Sequence, residues 1–376
     1  MHFFIYIIIF FSFFDLFSQL PIMSPFAESL GATPFITGLA VGMYSLSNTF
    51  GNVISGILTD RKGPFYILII GLFTTSFSLF LYQVVNDPIE LLVIRFLHGL
   101  VAGLIVPAAF TYSANKTSKD KRGKGVALSG AFVGLAAIAG PATSGILASK
   151  KSEVFVLGLT GSIMLVLSIL ALVLLRKIAI DRKDKEVSSP HSVRSIFQRN
   201  GIIKSFAGAF FLMFSQGVLA YMLPLKVLHL GFDSKTSGLL LSMFGFVAIL
   251  VFILPINRIF DRVKPVYTFT FGMCLMGISM LLLGQTYSLS LLYVWMGLYG
   301  IGFAFLFPSI NTLLIDSSEE SFRGKAYGYF YAFFSIGVVV GSSITGFLEL
   351  TATGGFTLTG IILLMVSIFA LVWREQ

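Results

Sequence analysis

Long apolar stretches alternate with short polar connections along the whole chain of 376 residues. About 20 apolar residues are enough for a helix to cross the hydrocarbon core of a bilayer. Twelve stretches approach or exceed that length, and they cover residues 3–23, 35–58, 65–85, 89–113, 124–148, 153–175, 204–228, 236–256, 265–285, 289–313, 325–348 and 356–373. The pattern predicts an all-α integral membrane protein with twelve transmembrane helices.

The second half of the chain repeats the first at an offset of 201 residues. The matched pairs include Asp60 with Asp261, Arg61 with Arg262, Pro64 with Pro265, Pro107 with Pro308, Gly140 with Gly341 and Gly145 with Gly346. The repeat predicts an N-terminal six-helix bundle over residues 1–176, a cytoplasmic linker over 177–203, and a C-terminal six-helix bundle over 204–376. Two repeated halves are one way in which transporters enclose a central site.

The composition supports a membrane protein, and the positions of the charges orient it. Hydrophobic residues make up 56% of the chain and charged residues only 11%, whereas soluble proteins carry about a quarter. The net charge of +9 would by itself be compatible with nucleic-acid binding. Most of the 26 lysines and arginines, however, lie in alternate connections and at the carboxyl end, which predicts cytoplasmic termini. We therefore expect the lipid bilayer, and not nucleic acid, as the partner.

Few features beyond the apolar stretches point to chemistry. The first stretch lacks a basic leader and a small-residue cleavage pattern, so we expect it to be retained as a span. We expect a cell (cytoplasmic) membrane, and the alternative is an organellar membrane. Cys274 is the only cysteine, which excludes an intramolecular disulfide and a thiol metal cluster. The sequence shows no GxxxxGK[ST] phosphate loop, no nucleophile triad and no metal-ligand spacing. We expect neither an enzyme nor a bound cofactor or metal.

Two short motifs resemble those of a known transporter family. The connection after the second predicted helix reads GILTDRKGP from Gly56 to Pro64, and the fifth predicted helix carries GPATSG from Gly140 to Gly145. With the twelve spans and the half-repeat, the chain resembles the major facilitator superfamily, and within it the twelve-span drug/proton antiporters. The resemblance covers essentially the whole chain. It implies the major facilitator fold, a small-molecule substrate and a monomer.

In this family the loop motif forms a cytoplasmic gate. The resemblance assigns this role to Gly56, Asp60, Arg61 and Gly63, with Asp261 and Arg262 as counterparts in the second half. An aspartate near the start of the eleventh helix would meet the positive end of the helix dipole, an interaction worth about 0.3–1 kcal/mol. Residues 64 and 65 replace the basic pair of the family motif, so fewer cations hold the closed arrangement. The alternative is that both loops are only tight, positively charged turns.

The resemblance also assigns a hinge to Gly140, Pro141 and Gly145 in the fifth predicted helix. Proline removes a backbone donor and kinks a helix, and small neighbours let the kink pack closely. The match is partial because Ala127, Ala136 and Ser144 replace glycines of the family motif. It is not specific to exporters, because Gly-Pro kinks occur in many membrane helices, and Ser342 stands in place of the proline in the second half.

Two ionisable residues are predicted to lie deep in the bilayer, where a charge is costly and a function is the default interpretation. At 1.5 Å per residue, Asp15 lies roughly 18 Å into the first helix and Arg95 roughly 20 Å from the cytoplasmic surface in the fourth. The family resemblance places both helices beside the central cavity. We predict that Asp15 and Arg95 interact directly or through water and couple proton binding to substrate binding. The alternative is a static pair that holds two helices together.

Further candidates accompany this pair. His98 lies one helical turn from Arg95 and could relay protons, bind substrate, or act as a hydrogen-bonded packing residue. On helices that the resemblance places beside the cavity, the polar candidates are Gln216, Tyr221, Tyr299 and Asn311, and the apolar candidates are Phe214, Met222, Phe303 and Phe307.

These features predict a secondary active transporter that exports small amphiphilic molecules, such as drugs or metabolites, in exchange for protons by alternating access. The alternative on the same fold is a proton-coupled importer or symporter of a small solute, because a fold fixes neither cargo nor direction. A third interpretation is a non-transporting membrane receptor or scaffold. It is disfavoured because such a protein has no need of Asp15 and Arg95 at mid-depth.

Overall fold

A computed structural model describes residues 2–116, 122–175, 199–254, 263–318 and 323–372. The helices of the first half are α1 (His2–Ser18), α2 (Met23–Ser29), α3 (Pro34–Lys62), α4 (Pro64–Leu81), α5 (Pro88–Ala102), α6 (Ile105–Lys116), α7 (Arg122–Lys150) and α8 (Glu153–Leu174). Those of the second half are α9 (Asn200–His229), α10 (Ser234–Ile253), α11 (Pro265–Gln285), α12 (Leu289–Ser317), α13 (Arg323–Phe347) and α14 (Ala352–Val372). The described residues contain no β-strand, and the predicted all-α class is confirmed.

Nearly all predicted spans correspond to long apolar helices. Ten segments of the described chain are long and apolar enough to cross a membrane, and one of them, Pro88–Ser113, comprises both α5 and α6. The pair α1 and α2 meets the same test together, although it is bent by 47°. The sequence predicted this first span as one straight stretch, because residues 19–22, where the helix is interrupted, include leucine, proline and isoleucine.

The second predicted span, α3, is long but more polar than the others. Its 29 residues would extend about 43 Å. Two of its polar side chains bond to the backbone of neighbouring segments: Asn48 Nδ2 donates to Gly99 O at 3.2 Å, and Ser55 Oγ donates to Leu104 O at 2.7 Å. Because these groups are satisfied within the protein, α3 can carry them at membrane depth.

The chain divides into two compact units. The first unit is Met1–Asp184 with Val227–Ser242, and the second unit is Lys185–Lys226 with Met243–Gln376. The bundle and linker boundaries predicted from the repeat remain a prediction. Within each unit, small residues bring helices into close contact, as expected where lipid gives no hydrophobic drive for association. Gly99 of α5 lies against the backbone of Tyr44 in α3, and Gly300 of α12 lies against the backbone of Phe244 in α10.

Many large apolar side chains are exposed on the outer faces of the helices. Phe77 of α4 is 62% exposed, and Val173 of α8 is 76% exposed. A soluble protein seldom exposes so much contiguous apolar surface. These faces suit a hydrocarbon environment, in agreement with the apolar composition of the spans.

Candidate functional site

The site in the first unit is built around the point where α1 ends. This helix stops at Ser18 inside an apolar stretch, so its last carbonyl groups need donors other than water. The carbonyl oxygen of Asp15 accepts hydrogen bonds from Ser18 Oγ at 3.0 Å and from Gln19 Nε2 at 2.9 Å. Two side chains therefore stabilise the interruption next to the candidate carboxylate.

The carboxylate of Asp15 is buried and bonded to neighbouring side chains, among them Gln19, His98 and Tyr44. Gln19 Nε2 donates to Oδ1 at 3.0 Å, and His98 Nε2 lies 3.1 Å from Oδ2. Asp15 is 1% exposed and His98 is fully buried. Since an unpaired charge is costly inside a protein, these contacts explain how a carboxylate can lie at this position.

Arg95 lies on α5 three residues before His98, so both side chains project from one face of the helix. Its Nε donates to the carbonyl of Ala40 at 2.8 Å, and one terminal nitrogen donates to that of Val41 at 3.1 Å. The other terminal nitrogen donates to Gln19 Oε1. The guanidinium carbon also lies 5.1 Å from the centre of the Tyr44 ring, within the range of cation–π attraction.

Asp15 and Arg95 are therefore neighbours, as their predicted depths indicated. The side chain of Gln19 joins them, because its nitrogen faces Asp15 and its oxygen faces Arg95. We predicted a direct or water-mediated contact, and the structure shows a link through a third side chain. Both charged residues are enclosed, with Arg95 only 3% exposed. The resemblance placed the pair beside a central cavity, and that placement remains a prediction.

His98 connects the carboxylate to a phenol. Its Nδ1 lies 3.2 Å from the hydroxyl of Tyr82, and the rings of Tyr44 and Tyr82 meet the imidazole edge-on at 5.1 and 5.7 Å. A carboxylate can only accept, so a neutral imidazole donates from Nε2 to Asp15 and accepts at Nδ1 from Tyr82. The arrangement is a continuous hydrogen-bonded chain of phenol, imidazole and carboxylate.

Sequence reasoning missed three members of this cluster: Gln19, Tyr44 and Tyr82. Gln19 carried a usable signal, because it is a polar residue in an apolar span, one helical turn after Asp15. The two tyrosines carried none, since the chain has 13 tyrosines and nothing in the sequence separates these two from the rest.

In the second unit, four predicted cavity residues lie near one another. Tyr299 is fully buried, and its hydroxyl lies 2.8 Å from Ser215 Oγ. Phe244 links the edge of Tyr299 to Phe303, which stacks on Phe307 with ring centres 5.7 Å apart. Asn311 Nδ2 donates to the carbonyl of Phe307, one turn earlier in the same helix.

The other four cavity candidates lie on α9. Phe214 packs on Phe210 and Phe211 of its own helix and is buried. Tyr221 and Met222 are also buried, whereas Gln216 is half-buried. A substrate-binding role for these positions remains a prediction.

The gate residues are described only in part. Gly56 belongs to α3, Arg61 is exposed, and Gly63 forms a one-residue connection between α3 and α4. Gly63 has φ +87°, a conformation that favours glycine, and its N–H bonds to Thr59 O at 2.9 Å. The backbone of Asp60 is helical, but its side chain lies outside the described residues, as do Asp261 and Arg262.

The predicted hinge residues lie at close helix contacts in α7. Gly140 packs against Phe17 of α1, while Pro141 and Gly145 approach Gly238 of α10. Next to them, Ser242 Oγ donates to the carbonyl of Ile138 at 2.7 Å. The small residues thus serve tight packing in this structure, and a hinge motion remains a prediction.

Comparison with known proteins identifies the family. The model of the Major Facilitator Superfamily matches residues 5–225 and 205–376. The chain is 23% identical over 349 residues to an uncharacterised MFS-type transporter of Methanocaldococcus jannaschii, covering 87% of this chain and 86% of the relative. It is 25% identical over 329 residues to the multi-drug resistance efflux pump PmrA of Streptococcus pneumoniae, covering 85% and 82%.

Solved structures share the fold. The nucleoside transporter NupG superposes with a TM-score of 0.84 at 14% identity, covering 99% of this chain and 98% of that one. A bacterial homologue of the human lysosomal transporter Spinster, in its inward-facing and occupied conformation, gives 0.82 at 13% identity, covering 99% and 95%. The chain belongs to the Major Facilitator Superfamily, and it is a multi-pass membrane transporter rather than an enzyme.

Proposed function

We propose that the protein exports small amphiphilic molecules in exchange for protons, with Asp15 as the proton-binding group. The observation that carries the proposal is the buried contact between Asp15 and His98, 3.1 Å apart, beside Arg95 in a transmembrane bundle. Buried ionisable groups at this depth commonly belong to substrate or proton pathways. Relatives that include the efflux pump PmrA of Streptococcus pneumoniae support export of such molecules.

The chemistry of the cluster supports proton exchange. Ionised Asp15 balances the positive charge of Arg95 and accepts from Gln19 and His98. Protonation removes that negative charge and turns one oxygen into a donor, so it changes both contacts at once. A cationic substrate near the cluster favours the ionised carboxylate by the same electrostatics. Proton and substrate then compete, which is the requirement for antiport.

Burial of the cluster implies that it is reached only in another conformation of the transporter. Asp15, His98 and Arg95 are each at most 3% exposed, so a proton needs an opening of the surrounding helices to arrive or leave. This requirement fits alternating access, in which the site is open to one side at a time.

Inside-out membrane vesicles from a strain that lacks its own drug pumps test the proposal. With the lumen acidified, we expect uptake of a lipophilic cation, with ethidium as the first probe of a panel. Asp15→Asn should abolish the proton-driven part of this uptake. Asp316→Asn, which changes an exposed aspartate, is the matched control and should leave it intact. Uptake driven by the opposite proton gradient would identify an importer, and unaltered uptake by Asp15→Asn would refute the coupling role.

A further inference from the structure

We propose that Gln19 is the positioning residue that transmits the protonation state of Asp15 to Arg95 and, through it, to α3. The proposal rests on the proton exchange assigned above to Asp15. Three observations carry it: the polarity of the bridging amide, the position of Gln19 at the interruption between α1 and α2, and the attachment of Arg95 to two carbonyls of α3.

The bridge requires a group that donates at one end and accepts at the other. Ionised Asp15 only accepts, and Arg95 only donates. The amide of Gln19 meets both needs, with Nε2 bonded to Asp15 Oδ1 at 3.0 Å and Oε1 accepting from Arg95. If the amide were flipped, Gln19 Oε1 would face the Asp15 carboxylate, which also only accepts, and Nε2 would face the Arg95 guanidinium, which also only donates. The state of Asp15 therefore fixes the orientation of Gln19.

The same side chain lies at the interruption of the first span. Gln19 directly follows the end of α1, where the chain bends by 47°, and its Nε2 also donates to the carbonyl oxygen of Asp15 at 2.9 Å. Protonation of the carboxylate weakens one of the two acceptors that hold this nitrogen. The end of α1 and the bridge to Arg95 then change together.

Arg95 passes the change to a second helix. It donates to the carbonyls of Ala40 and Val41, and both residues lie in α3. Gln19 Oε1 also accepts from Arg95, and it is the acceptor whose orientation depends on the protonation state of Asp15. When the amide reorients, Arg95 loses that acceptor and its hold on α3 is altered. A proton event on α1 is thereby linked to the position of α3.

Several other titratable groups face Asp15 and enter its pH response. His98 and Arg95 approach from α5, Tyr44 from α3, and Tyr82 from the turn after α4. The helices α6, α7 and α8 also pack against α1, and their titratable side chains within the described residues are Tyr112, Lys150 and Glu153. All of these groups are retained in the chain when only Gln19 is changed.

Infrared titration of the purified full chain in lipid tests the proposal without a substrate. The carbonyl band of protonated Asp15 is assigned as the band lost in Asp15→Asn. In Gln19→Leu the ionised carboxylate loses a donor, so the pH at which this band reaches half of its full intensity should be higher than in the wild type. Gln285→Leu, an exposed glutamine at the end of α11, is the matched control and should not move it. If Gln19→Leu fails to fold, Gln19→Met replaces it, because methionine keeps the unbranched length.

A double-mutant cycle tests the transmission to Arg95. Arg95→Lys keeps the charge but not the three-acceptor geometry, and its shift should be non-additive with that of Gln19→Leu. An unmoved band in Gln19→Leu, or strictly additive shifts, would overturn the role of Gln19. The proposed function is tested separately by uptake into vesicles. It is refuted if Asp15→Asn leaves proton-driven ethidium uptake unchanged, whatever the infrared titration shows.

Discussion

The two halves of the chain place different chemistry at equivalent positions. At the offset of 201 residues, Asp15 corresponds to Gln216 and His98 to Tyr299. The first pair forms a buried contact between a carboxylate and an imidazole, whereas Tyr299 forms a neutral hydrogen bond with Ser215. The helix contact at Gly99 is repeated at Gly300. The comparison shows that close packing repeats because small residues set it, while the ionisable network belongs to one half.

A second contrast concerns the buried cations. Arg95 and Lys226 are each bonded to two backbone carbonyls and lie near an aromatic ring. Arg95 is also linked through Gln19 to a carboxylate, whereas no ion pair of Lys226 occurs within the described residues. Lys226 donates to Leu283 and Gly284 near the end of α11, where helix carbonyls lack partners. One cation is linked to a carboxylate that we propose to bind a proton, and the other caps a helix.

The largest effect is expected when Asp15 of the first half is replaced by glutamine, the residue at the equivalent position in the second half. Asp15→Gln removes the only carboxylate of the network, so proton-driven ethidium uptake into inside-out vesicles should fall to the level of vesicles without the protein. Gln216→Ala, at the equivalent position, should retain the proton dependence. Equal loss in the two variants would show that the halves share the coupling role.

The capping cation should matter for stability and not for coupling. Lys226→Met leaves the carbonyls of Leu283 and Gly284 without their donor, and a buried unsatisfied group costs about 1–3 kcal/mol. Thermal unfolding in detergent should register this loss, while the pH profile of ethidium uptake should keep its wild-type midpoint. A shifted midpoint would place Lys226 among the coupling residues.

Removing one phenol from each half distinguishes the two networks. Tyr82→Phe removes the hydroxyl that contacts His98, and Tyr299→Phe removes the one that contacts Ser215, so each should lower the free energy of unfolding by at least about 1 kcal/mol. Only Tyr82→Phe should also change the pH profile of uptake, because Tyr82 bonds to His98. The contrast would be lost if the two variants gave the same pH profile.

The smallest effect concerns a contact between two helices that contains a serine hydrogen bond in the first half and a glycine at the equivalent position in the second half. Ser76 of α4 donates to the carbonyl of Gly161 in α8 at 2.7 Å, and at the offset of 201 residues Gly277 takes the place of Ser76. Ser76→Ala should lower the free energy of unfolding by about 0.6 kcal/mol, the average for hydrogen bonds between membrane helices. Its uptake should match the wild type. A loss of several times this size would mean that the serine bond, and not close packing, holds these helices together.

Part of the site could be predicted from the sequence. Asp15, Arg95 and His98 were found because charge in an apolar stretch is rare, and because counting residues along a helix gives depth. The proximity of Asp15 and Arg95 followed from equal depth and agrees with the structure. Gln19 was missed because a neutral amide in such a stretch gives a weaker signal than a charge. The interruption of the first span was missed because its residues are mostly apolar.

The sequence by itself determined the helical class and the repeat, and it predicted equal depths for the charged residues, because each of these depends on counting along one dimension. Only the tertiary structure decided that Arg95 bonds to carbonyls of α3 and that Gln19 separates it from Asp15. Such pairings depend on the rotation of each helix about its axis. A helix that is apolar on almost every face has no polar stripe to fix that rotation, so packing between helices must set it.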